Sequence, residues 1–351
     1  MAEFKKAALR GLRPVQRDRL SWHQFAAEPS RYESMPYRRC GAWGLKLPAI
    51  SLGSWETFGG YRGPEVTREC IFRAFNLGIT HFDFANVYGR TPGRAETVVG
   101  RILREMPREE LIISTKAGFG MWPGPYGEGT SRKHLIASLD QSLQRLGLDH
   151  VDIFYSHRYD PETPLDETIA TLDHLIHQGK VLYAGLSNYP PNEFSSACKL
   201  AERKGWAPIV AHQSDYSLFE REIEKNFLPA AREAGVGVVA YSPLAQGLLT
   251  NKYLGEIPAD SRAAKAWSEK QRAEKITDAR IVQAKKLNEI AQQRGQTLAQ
   301  MALVWTLRNP VVSSALIGAS SVEQIEENVK ALEHPDFSED ELRRIDEVTA
   351  S

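Results

Sequence analysis

Eight short apolar runs recur along this 351-residue chain, and segments with the composition of amphipathic helices connect them. The runs occupy residues 48–55, 80–85, 111–117, 151–157, 181–188, 209–217, 236–244 and 314–320. They are apolar almost throughout rather than at alternate positions, which is typical of strands buried on both faces of a parallel sheet. Eight strand–helix units in a chain of this length predict an α/β fold, a single (β/α)8 or TIM barrel. A doubly wound open sheet is the structural alternative.

The segments before the first run predict two further elements. Residues 35–48 contain turn glycines between short apolar stretches, and they predict an N-terminal β-hairpin that closes the floor of the barrel. No linker rich in Pro, Gly or Ser divides the chain after that point, so we expect residues 31–351 to form one barrel domain. Residues 1–30, rich in Lys and Arg at their start, are interpreted as a mobile or surface-docked extension.

The composition argues against several classes of partner. The 44 basic residues balance 44 acidic ones, so no global field attracts nucleic acid or an anionic membrane. The apolar runs are too short to span a membrane, and the three cysteines have no metal-binding or disulfide spacing, which favours a reducing cytoplasm. His174 and His177 form an HxxH pattern without a nearby third ligand, and we therefore predict no metal site.

Four polar residues lie at or just beyond the ends of three consecutive runs. They are Asp83, Tyr88, Lys116 and His157. Parallel α/β folds place their chemistry at the carboxyl ends of the strands, so we expect the four side chains to meet at one rim. A tyrosine hydroxyl can serve as an acid, and a lysine ammonium beside it would lower its pKa. The four residues together predict the reduction of a carbonyl group.

Taken singly, three of these residues also have structural interpretations. Asp83 could cap a turn, Lys116 could extend along the surface, and His157 could be a hydrogen-bonded histidine near the core. Their equivalent positions at successive strand ends favour a common site. The sequence GVGVVA at 235–240 follows a helix and enters a strand, which is the reverse of a dinucleotide fingerprint, and a phosphate-binding GxxxxGK[ST] loop is absent.

Five motifs follow one another in the order GITHFDFANVYG, LIISTKAG, VDIFYSHR, GLSNY and SPLAQGLLTNKY, and together they resemble the aldo-keto reductase superfamily. The similarity extends from about residue 37 to the last helices. Residues 30–53 and 116–135 are most similar to a bacterial group that reduces L-glyceraldehyde 3-phosphate, and the potassium-channel β subunits are the nearest group outside it. The resemblance implies NADPH-dependent reduction of small aldehydes, such as L-glyceraldehyde 3-phosphate and methylglyoxal.

The resemblance also implies a role for each of the four residues. Tyr88 would donate a proton to the substrate carbonyl while NADPH delivers hydride to its carbon. Lys116, paired with Asp83, would favour tyrosinate character, and His157 would orient the carbonyl oxygen. This arrangement would combine general acid catalysis with stabilisation of the developing alkoxide.

Residues further along the chain are assigned to NADPH by the same resemblance. Ser187, Asn188 and Gln213 would bind the nicotinamide amide, and Tyr241 would stack on the ring. Ser54, Trp55 and Asp83 are also assigned to the cofactor. Ser242, Pro243, Leu244, Gln246, Leu248 and Lys252 would follow the pyrophosphate, and Arg262, Gly318, Ser320, Gln324, Glu327 and Asn328 would hold the adenosine end. Arg262 and Ser320 would bind the 2′-phosphate, which favours NADPH over NADH. Three of these residues also have structural interpretations. Gly318 could be a strand-end glycine, Asn328 an exposed helix residue and Arg262 a solvated charge in a polar loop.

Two long connections, residues 118–133 and 246–275, are expected at the catalytic face, where such loops usually bind ligands. The substrate pocket is assigned to Trp55 and Tyr88 together with Trp122, Tyr126 and Arg158. Aromatic walls suit a sugar or an apolar aldehyde, although the same residues could anchor loop packing. Arg158, and Arg90 after the YG motif, are candidate ligands for a substrate phosphate or carboxylate.

Two other functions remain open at this point. The first is a nicotinamide-cofactor-sensing subunit of a membrane channel or transporter, as in the β-subunit relatives, which vary at the position of His157. The second is aldolase or isomerase chemistry on the same barrel without nicotinamide. The resemblance further implies a homo-oligomer that acts on a small-molecule aldehyde, with neither nucleic acid nor membrane as a partner.

Overall fold

The pairing of the strands confirms the eightfold barrel. The computed structural model describes residues 25–60, 62–255, 257–259, 262–265 and 268–350. Its strands are β1 (Tyr37–Arg39), β2 (Lys46–Pro48), β3 (Ile50–Gly53), β4 (His81–Asp83), β5 (Ile112–Ala117), β6 (Val151–Ser156), β7 (Val181–Ser187), β8 (Ile209–Asp215), β9 (Gly237–Tyr241) and β10 (Val312–Gly318). Strands β3 to β10 pair in parallel in sequence order, and β10 pairs with β3 to close the barrel. This closure excludes the doubly wound open sheet.

Helices alternate with the barrel strands as the sequence predicts. They are α1 (Pro64–Asn76), α2 (Arg94–Leu103), α3 (Arg132–Leu146), α4 (Leu165–His177), α5 (Pro191–Lys204), α6 (Ile223–Glu233), α7 (Arg262–Lys265), α8 (Glu269–Lys275), α9 (Asp278–Gln293), α10 (Leu298–Leu307), α11 (Val322–Val329) and α12 (Glu339–Thr349). Ser131 caps α3 by accepting from the His134 amide, and Gly147 ends it in the left-handed region at φ 69°. The seven-residue α8 and the four-residue α7 interrupt the long connection after β9.

The predicted hairpin is present and fills the floor of the barrel. Strands β1 and β2 pair antiparallel, and their connecting turn together with β2 brings Cys40, Leu45 and Leu47 into the lumen. These side chains are at most 4% exposed and pack against inward-facing residues of β6, β8 and β9. Gly41 has φ +62°, and a Cβ atom there would come within 2.1 Å of the Gly235 carbonyl oxygen, so only glycine allows the turn to approach so closely.

Above the floor, the lumen has an apolar half and a polar half. On the side of β6 to β9 it is filled by apolar side chains, among them the fully buried Tyr155. The Tyr155 ring lies directly over Gly185 of β7, where an added Cβ atom would be 2.4 Å from a ring carbon. On the other side, four polar side chains from β10, β3, β4 and β5 form a hydrogen-bonded layer, here called the polar layer: Ser314, Ser51, His81 and Ser114.

The described end of the N-terminal extension packs against helix α1. The Phe25 ring stacks on Phe72 with 4.2 Å between centroids, and the Glu28 amide donates to the Asn76 side chain at 3.0 Å. Residues 1–24 of the predicted extension lie outside the described part of the chain. Within the described part, no helix is both long and apolar enough to cross a membrane.

Candidate active site

The barrel brings the four predicted residues of the tetrad together at its carboxyl-terminal rim. Asp83 ends β4, Lys116 lies one residue before the end of β5, and His157 directly follows β6. Tyr88 lies in the loop after β4 and folds back over the rim, so that Lys116 Nζ is 3.4 Å from its hydroxyl oxygen. The Tyr88 and His157 rings meet edge to face with 5.8 Å between centroids. The four side chains therefore form one cluster, as their strand-end positions predict.

Lys116 is fully buried, and its ammonium makes three polar contacts. It forms an ion pair with Asp83, donates to the Phe84 carbonyl oxygen at 2.7 Å and faces the Tyr88 hydroxyl. Asp83 Oδ1 accepts two further hydrogen bonds, from Ser114 Oγ at 2.5 Å and Gln213 Nε2 at 3.0 Å. Because the carboxylate and the ammonium are both satisfied by neighbours, the pair is tolerated in the interior.

The protonation of Tyr88 differs from the sequence prediction. Burial, followed by the negative charge of Asp83, raises the pKa of the phenol well above its usual value of 10.0. The sequence predicts that the neighbouring lysine lowers this pKa, whereas burial and Asp83 give a net shift in the opposite direction. Burial also lowers the pKa of Lys116, against the opposing influence of Asp83. Tyr88 is therefore a protonated hydroxyl at neutral pH.

His157 is neutral for similar reasons. It is only 7% exposed, and burial, the Lys116 ammonium and Arg158 all hold its pKa well below 6.5. Its ring lies between Tyr88 and Phe119, whose centroid is 4.7 Å away in an edge-to-face contact. The Asn188 side-chain amide donates to the His157 carbonyl oxygen at 3.0 Å, which fixes the backbone after β6. The imidazole can therefore offer one N–H to a substrate without carrying a charge.

A cavity of about 1010 Å³ opens at the tetrad and runs past the ends of β7 to β10 to the start of α11. Most of the residues assigned to the cofactor line it: Trp55, Asp83, Ser187, Asn188, Gln213, Tyr241, Ser242, Pro243, Leu244, Gln246, Lys252, Gly318, Ser320, Gln324, Glu327 and Asn328. Several are already linked, since Tyr241 Oη donates to Asn188 Oδ1 at 2.8 Å and Ser187 Oγ donates to the Gln213 carbonyl oxygen at 3.0 Å.

Two residues assigned to the cofactor, Ser54 and Leu248, do not line this wall, and the side chain of a third, Arg262, is not described. Ser54 is buried behind it and donates to the Asp83 carbonyl oxygen at 2.9 Å. Leu248 is 2% exposed and packs in a small apolar cluster with Tyr253. Arg262 begins α7, and its side chain lies outside the described residues. The geometry thus gives Ser54 and Leu248 supporting positions behind the wall.

Of the five residues assigned to the substrate, two line the cavity and three do not. Trp55 and Tyr88 line the cavity, and Trp55 is 44% exposed at its mouth. Trp122 packs against His134 instead, with 4.9 Å between ring centroids, and Tyr126 is 52% exposed on the outside of the same loop. Arg158 donates to the Gly118 carbonyl oxygen at 3.0 Å and does not reach the wall.

Phe119 and Asp215 are among the wall residues that sequence reasoning missed. Phe119 is 40% exposed and covers His157 from the loop after β5. Its position two residues after the end of that strand was the available signal. Asp215 ends β8, and burial raises the pKa of its carboxyl to about 6, reinforced by the charge of Glu220. No local sequence pattern distinguishes this carboxylate from an ordinary strand-end residue.

The loop after β9 adopts an unusual backbone along the cavity. Ser242, Ala245 and Gln246 have positive φ angles of 52°, 45° and 57°, although none of them is glycine. Such conformations are costly and occur mainly at ligand-binding segments. With Lys252 nearby in the wall, this loop offers polar groups and a cation along the middle of the cavity.

The cavity fits a nicotinamide dinucleotide better than a metal ion. Its volume is about 1010 Å³, side-chain amides and hydroxyls line it beside the tetrad, and Lys252 lies in its wall. Among the described residues, no group of three His, Cys, Asp or Glu side chains is placed to hold a metal.

The chain was compared with known proteins, and a model of the aldo/keto reductase family matches residues 49–350. L-glyceraldehyde 3-phosphate reductase of Escherichia coli (strain K12) is 51% identical over 330 residues, which cover 92% of this chain and 95% of that protein. A putative voltage-gated potassium channel subunit beta of Schizosaccharomyces pombe is 40% identical over 327 residues, covering 90% and 94%. A probable voltage-gated potassium channel subunit beta of Arabidopsis thaliana is 37% identical over 303 residues, covering 85% and 92%.

The matched region contains all eight barrel strands, the tetrad and the cavity wall. It also begins after the floor hairpin, so the family match depends on the barrel and its rim rather than on the hairpin. Barrel topology, a Tyr–Lys–Asp–His cluster and full-length relatives all indicate one group of proteins. This chain belongs to the aldo/keto reductase family of oxidoreductases, whose members use nicotinamide cofactors.

Proposed function

We propose that this protein reduces small aldehydes to alcohols with NADPH, and that L-glyceraldehyde 3-phosphate and methylglyoxal are among its substrates. The observation that carries the proposal is the position of the Tyr88 hydroxyl, which is 3.4 Å from a buried ammonium and faces a long cavity. The 51% identity to a protein named L-glyceraldehyde 3-phosphate reductase supports the substrate class.

Tyr88 acts as the general acid in this proposal. Its raised pKa keeps it protonated at neutral pH, so the proton is available when an aldehyde oxygen enters the site. As that proton leaves, the phenolate forms opposite the Lys116 ammonium, whose charge stabilises it where water is excluded. Asp83 holds Lys116 in place, and neutral His157 directs its N–H towards the same oxygen. NADPH, when bound, supplies the hydride.

Ser187, Asn188 and Gln213 are proposed to bind the nicotinamide amide, because their side-chain polar groups border the cavity next to the tetrad. Tyr241 would cover one face of the ring, held by its hydrogen bond to Asn188. Lys252 would pair with the pyrophosphate.

The preference for NADPH over NADH is proposed from the far end of the cavity. Helix α11 begins there, after Gly318 and Ser320, and its first amides provide the positive end of the helix dipole. A 2′-phosphate would bind at this position, with Arg262 as the predicted cation. A comparison of the dissociation constants for NADPH and NADH tests this assignment, and equal values would contradict it.

The substrate pocket is proposed to lie beside Trp55 and Phe119, which both line the cavity that contains the tetrad. Arg158 remains a candidate for a substrate phosphate. Its guanidinium lies 5.3 Å from the Phe119 ring, and its ion pair with Glu128 is long at 3.8 Å and partly exposed. A phosphate could replace that carboxylate at little cost, since exposed ion pairs contribute little to stability.

A single-turnover assay with Tyr88→Phe tests the proposed function. The wild-type protein should oxidise NADPH in the presence of L-glyceraldehyde 3-phosphate or methylglyoxal, and the variant should not, although it still binds NADPH and quenches tryptophan fluorescence. If the wild type binds NADPH but reduces none of a panel of aldehydes, the alternative of a nicotinamide-sensing subunit is favoured, in line with its potassium channel β-subunit relatives.

A further inference from the structure

The polar layer inside the barrel is connected to the tetrad by an unbroken series of hydrogen bonds. Ser314 Oγ lies 2.6 Å from Ser51 Oγ, and Ser51 Oγ lies 2.8 Å from His81 Nδ1. His81 Nε2 lies 2.9 Å from Ser114 Oγ, which in turn donates to Asp83 Oδ1 at 2.5 Å. All five residues are at most 1% exposed, so water does not compete for these contacts.

The charge of Asp83 sets the direction of every donor in this series. An ionised carboxylate only accepts, so the single hydroxyl hydrogen of Ser114 points to Asp83. Ser114 must then accept from His81, which places the imidazole hydrogen on Nε2 and leaves Nδ1 as an acceptor. Ser51 therefore donates to Nδ1 and accepts from Ser314. The alternative tautomer would leave the lone pairs of His81 Nε2 and Ser114 Oγ facing each other at 2.9 Å.

His81 is suited to this role because it stays neutral. It is completely buried, and burial lowers its pKa to about 4, with Lys116 acting in the same direction and Asp83 opposing. A neutral imidazole in one tautomer transmits a fixed donor to Ser114, whereas an imidazolium would need a counter-charge that the polar layer lacks. Barrel lumens are usually filled by branched apolar side chains. The histidine and three serines of the polar layer depart from this pattern, and they lie directly beneath the Asp83 carboxylate.

We propose that His81 and Ser114 are positioning residues that hold the Asp83 carboxylate, and through it the Lys116 ammonium, in the orientation that serves Tyr88. This inference rests on the proposed function. Neither residue lines the cavity, so neither touches the substrate or the cofactor. Their effect reaches the reacting atoms through Asp83, which the Ser114 hydroxyl anchors from below while Gln213 anchors it from the side.

The first test replaces Ser114 with alanine. The variant should lower kcat about tenfold, because a hydrogen bond to a charged group is lost where water cannot replace it. The dissociation constant for NADPH should stay unchanged, since the side chain lies outside the cavity wall. In the Asp83→Asn background the same substitution should cause no further loss of kcat, because its effect passes through the carboxylate. Ser313→Ala is the matched control. Ser313 lies in β10 and is buried like Ser114, but it donates to the Arg39 carbonyl oxygen and does not belong to the series of hydrogen bonds that reaches Asp83.

The second test reads the tautomer of His81 directly. Nitrogen-15 NMR of the imidazole, assigned by comparison with His81→Gln, should show a neutral ring protonated on Nε2 from pH 6 to pH 8. A ring protonated on Nδ1, or one that titrates in this range, overturns the proposal. An unchanged kcat in Ser114→Ala, or an equal loss in the two backgrounds, overturns it as well.

The two tests separate this inference from the proposed function. If the wild-type protein reduces no aldehyde, the proposed function fails, whereas the tautomer is measured without substrate or cofactor. If the wild type is active and the Ser114→Ala variant does not differ from Ser313→Ala, only the positioning role fails.

Discussion

Replacing Lys116 with methionine should destabilise the barrel by about 3–5 kcal/mol, because it breaks a buried ion pair on one side only. The lysine side chain is 0% exposed and that of Asp83 only 2%, so solvent cannot screen the carboxylate that is left. Methionine preserves most of the volume, which keeps the cavity term small. The remaining cost comes from a carboxylate with two donors instead of three and from a Phe84 carbonyl that has lost its donor.

The partner substitution makes the argument a thermodynamic cycle. Asp83→Asn should be destabilising too, and the double variant should lose about 2 kcal/mol less than the sum of the single losses, since residues in contact couple. The assay is urea unfolding followed by fluorescence and circular dichroism. Lys180→Met is the matched control: its pair with Asp140 has the same kind of contact at 2.7 Å, but the side chains are 33% and 42% exposed. That variant should lose less than about 1 kcal/mol.

The pH dependence of the unfolding free energy tests the same ion pair independently. Burial lowers the pKa of folded Lys116 below its unfolded value, so the unfolded chain binds more protons between those two values and the unfolding free energy rises with pH there. Asp83→Asn removes the carboxylate that opposes the lowering of the Lys116 pKa. The pKa of the folded lysine therefore falls further in the variant, and the pH range in which the unfolding free energy rises extends to lower pH. Asp83→Asn should therefore be less destabilising at pH 9 than at pH 7. Additive losses, or a Lys116→Met effect no larger than that of Lys180→Met, would refute the reasoning.

Three other predictions concern the lumen, the wall and the substrate. Gly185→Ala should destabilise the protein by about 1–3 kcal/mol, because its Cβ would meet the Tyr155 ring, whereas Gly44→Ala has open space and should change the urea midpoint little. Asp215→Asn should raise the unfolding free energy more at pH 8 than at pH 4: the folded pKa of about 6 exceeds the usual 3.8, so the wild type loses stability as pH rises through that range, and a parallel pH profile would contradict this. Arg158→Leu should raise the KM for phosphorylated aldehydes and leave that for methylglyoxal unchanged, and an equal loss on both would exclude a phosphate role.

Much of the barrel and the tetrad could be predicted from local features of the sequence. A strand buried on both faces is apolar throughout, and the residues at or just after its carboxyl end lie at the rim. Asp83, Lys116 and His157 could therefore be placed there without coordinates. Tyr88 could be placed at the same rim because it follows Asp83 closely, in a loop that can fold back. The floor hairpin followed from its turn glycines.

The properties that could not be predicted depend on what surrounds a group in three dimensions. The pKa of Tyr88 rises because neighbouring elements bury the phenol, and lysine spacing alone suggests the opposite direction. Trp122 turns towards His134 rather than the cavity, while Phe119 in the same loop takes the place beside the tetrad. The polar layer joins β10 to β3 across the closure of the barrel, and no sequence window contains both strands.

The floor hairpin also constrains how the chain acquires this structure during synthesis. Its residues leave the ribosome before the barrel strands, yet Cys40 packs on Val210 of β8. In the polar layer, Ser51 likewise contacts Ser314, which lies 263 positions further along the chain. The lumen therefore stays open to water until β10 has been synthesised, and contacts of such long range slow folding. The first barrel strands therefore lack these partners until the later strands have been synthesised, a period in which chaperones have access to them.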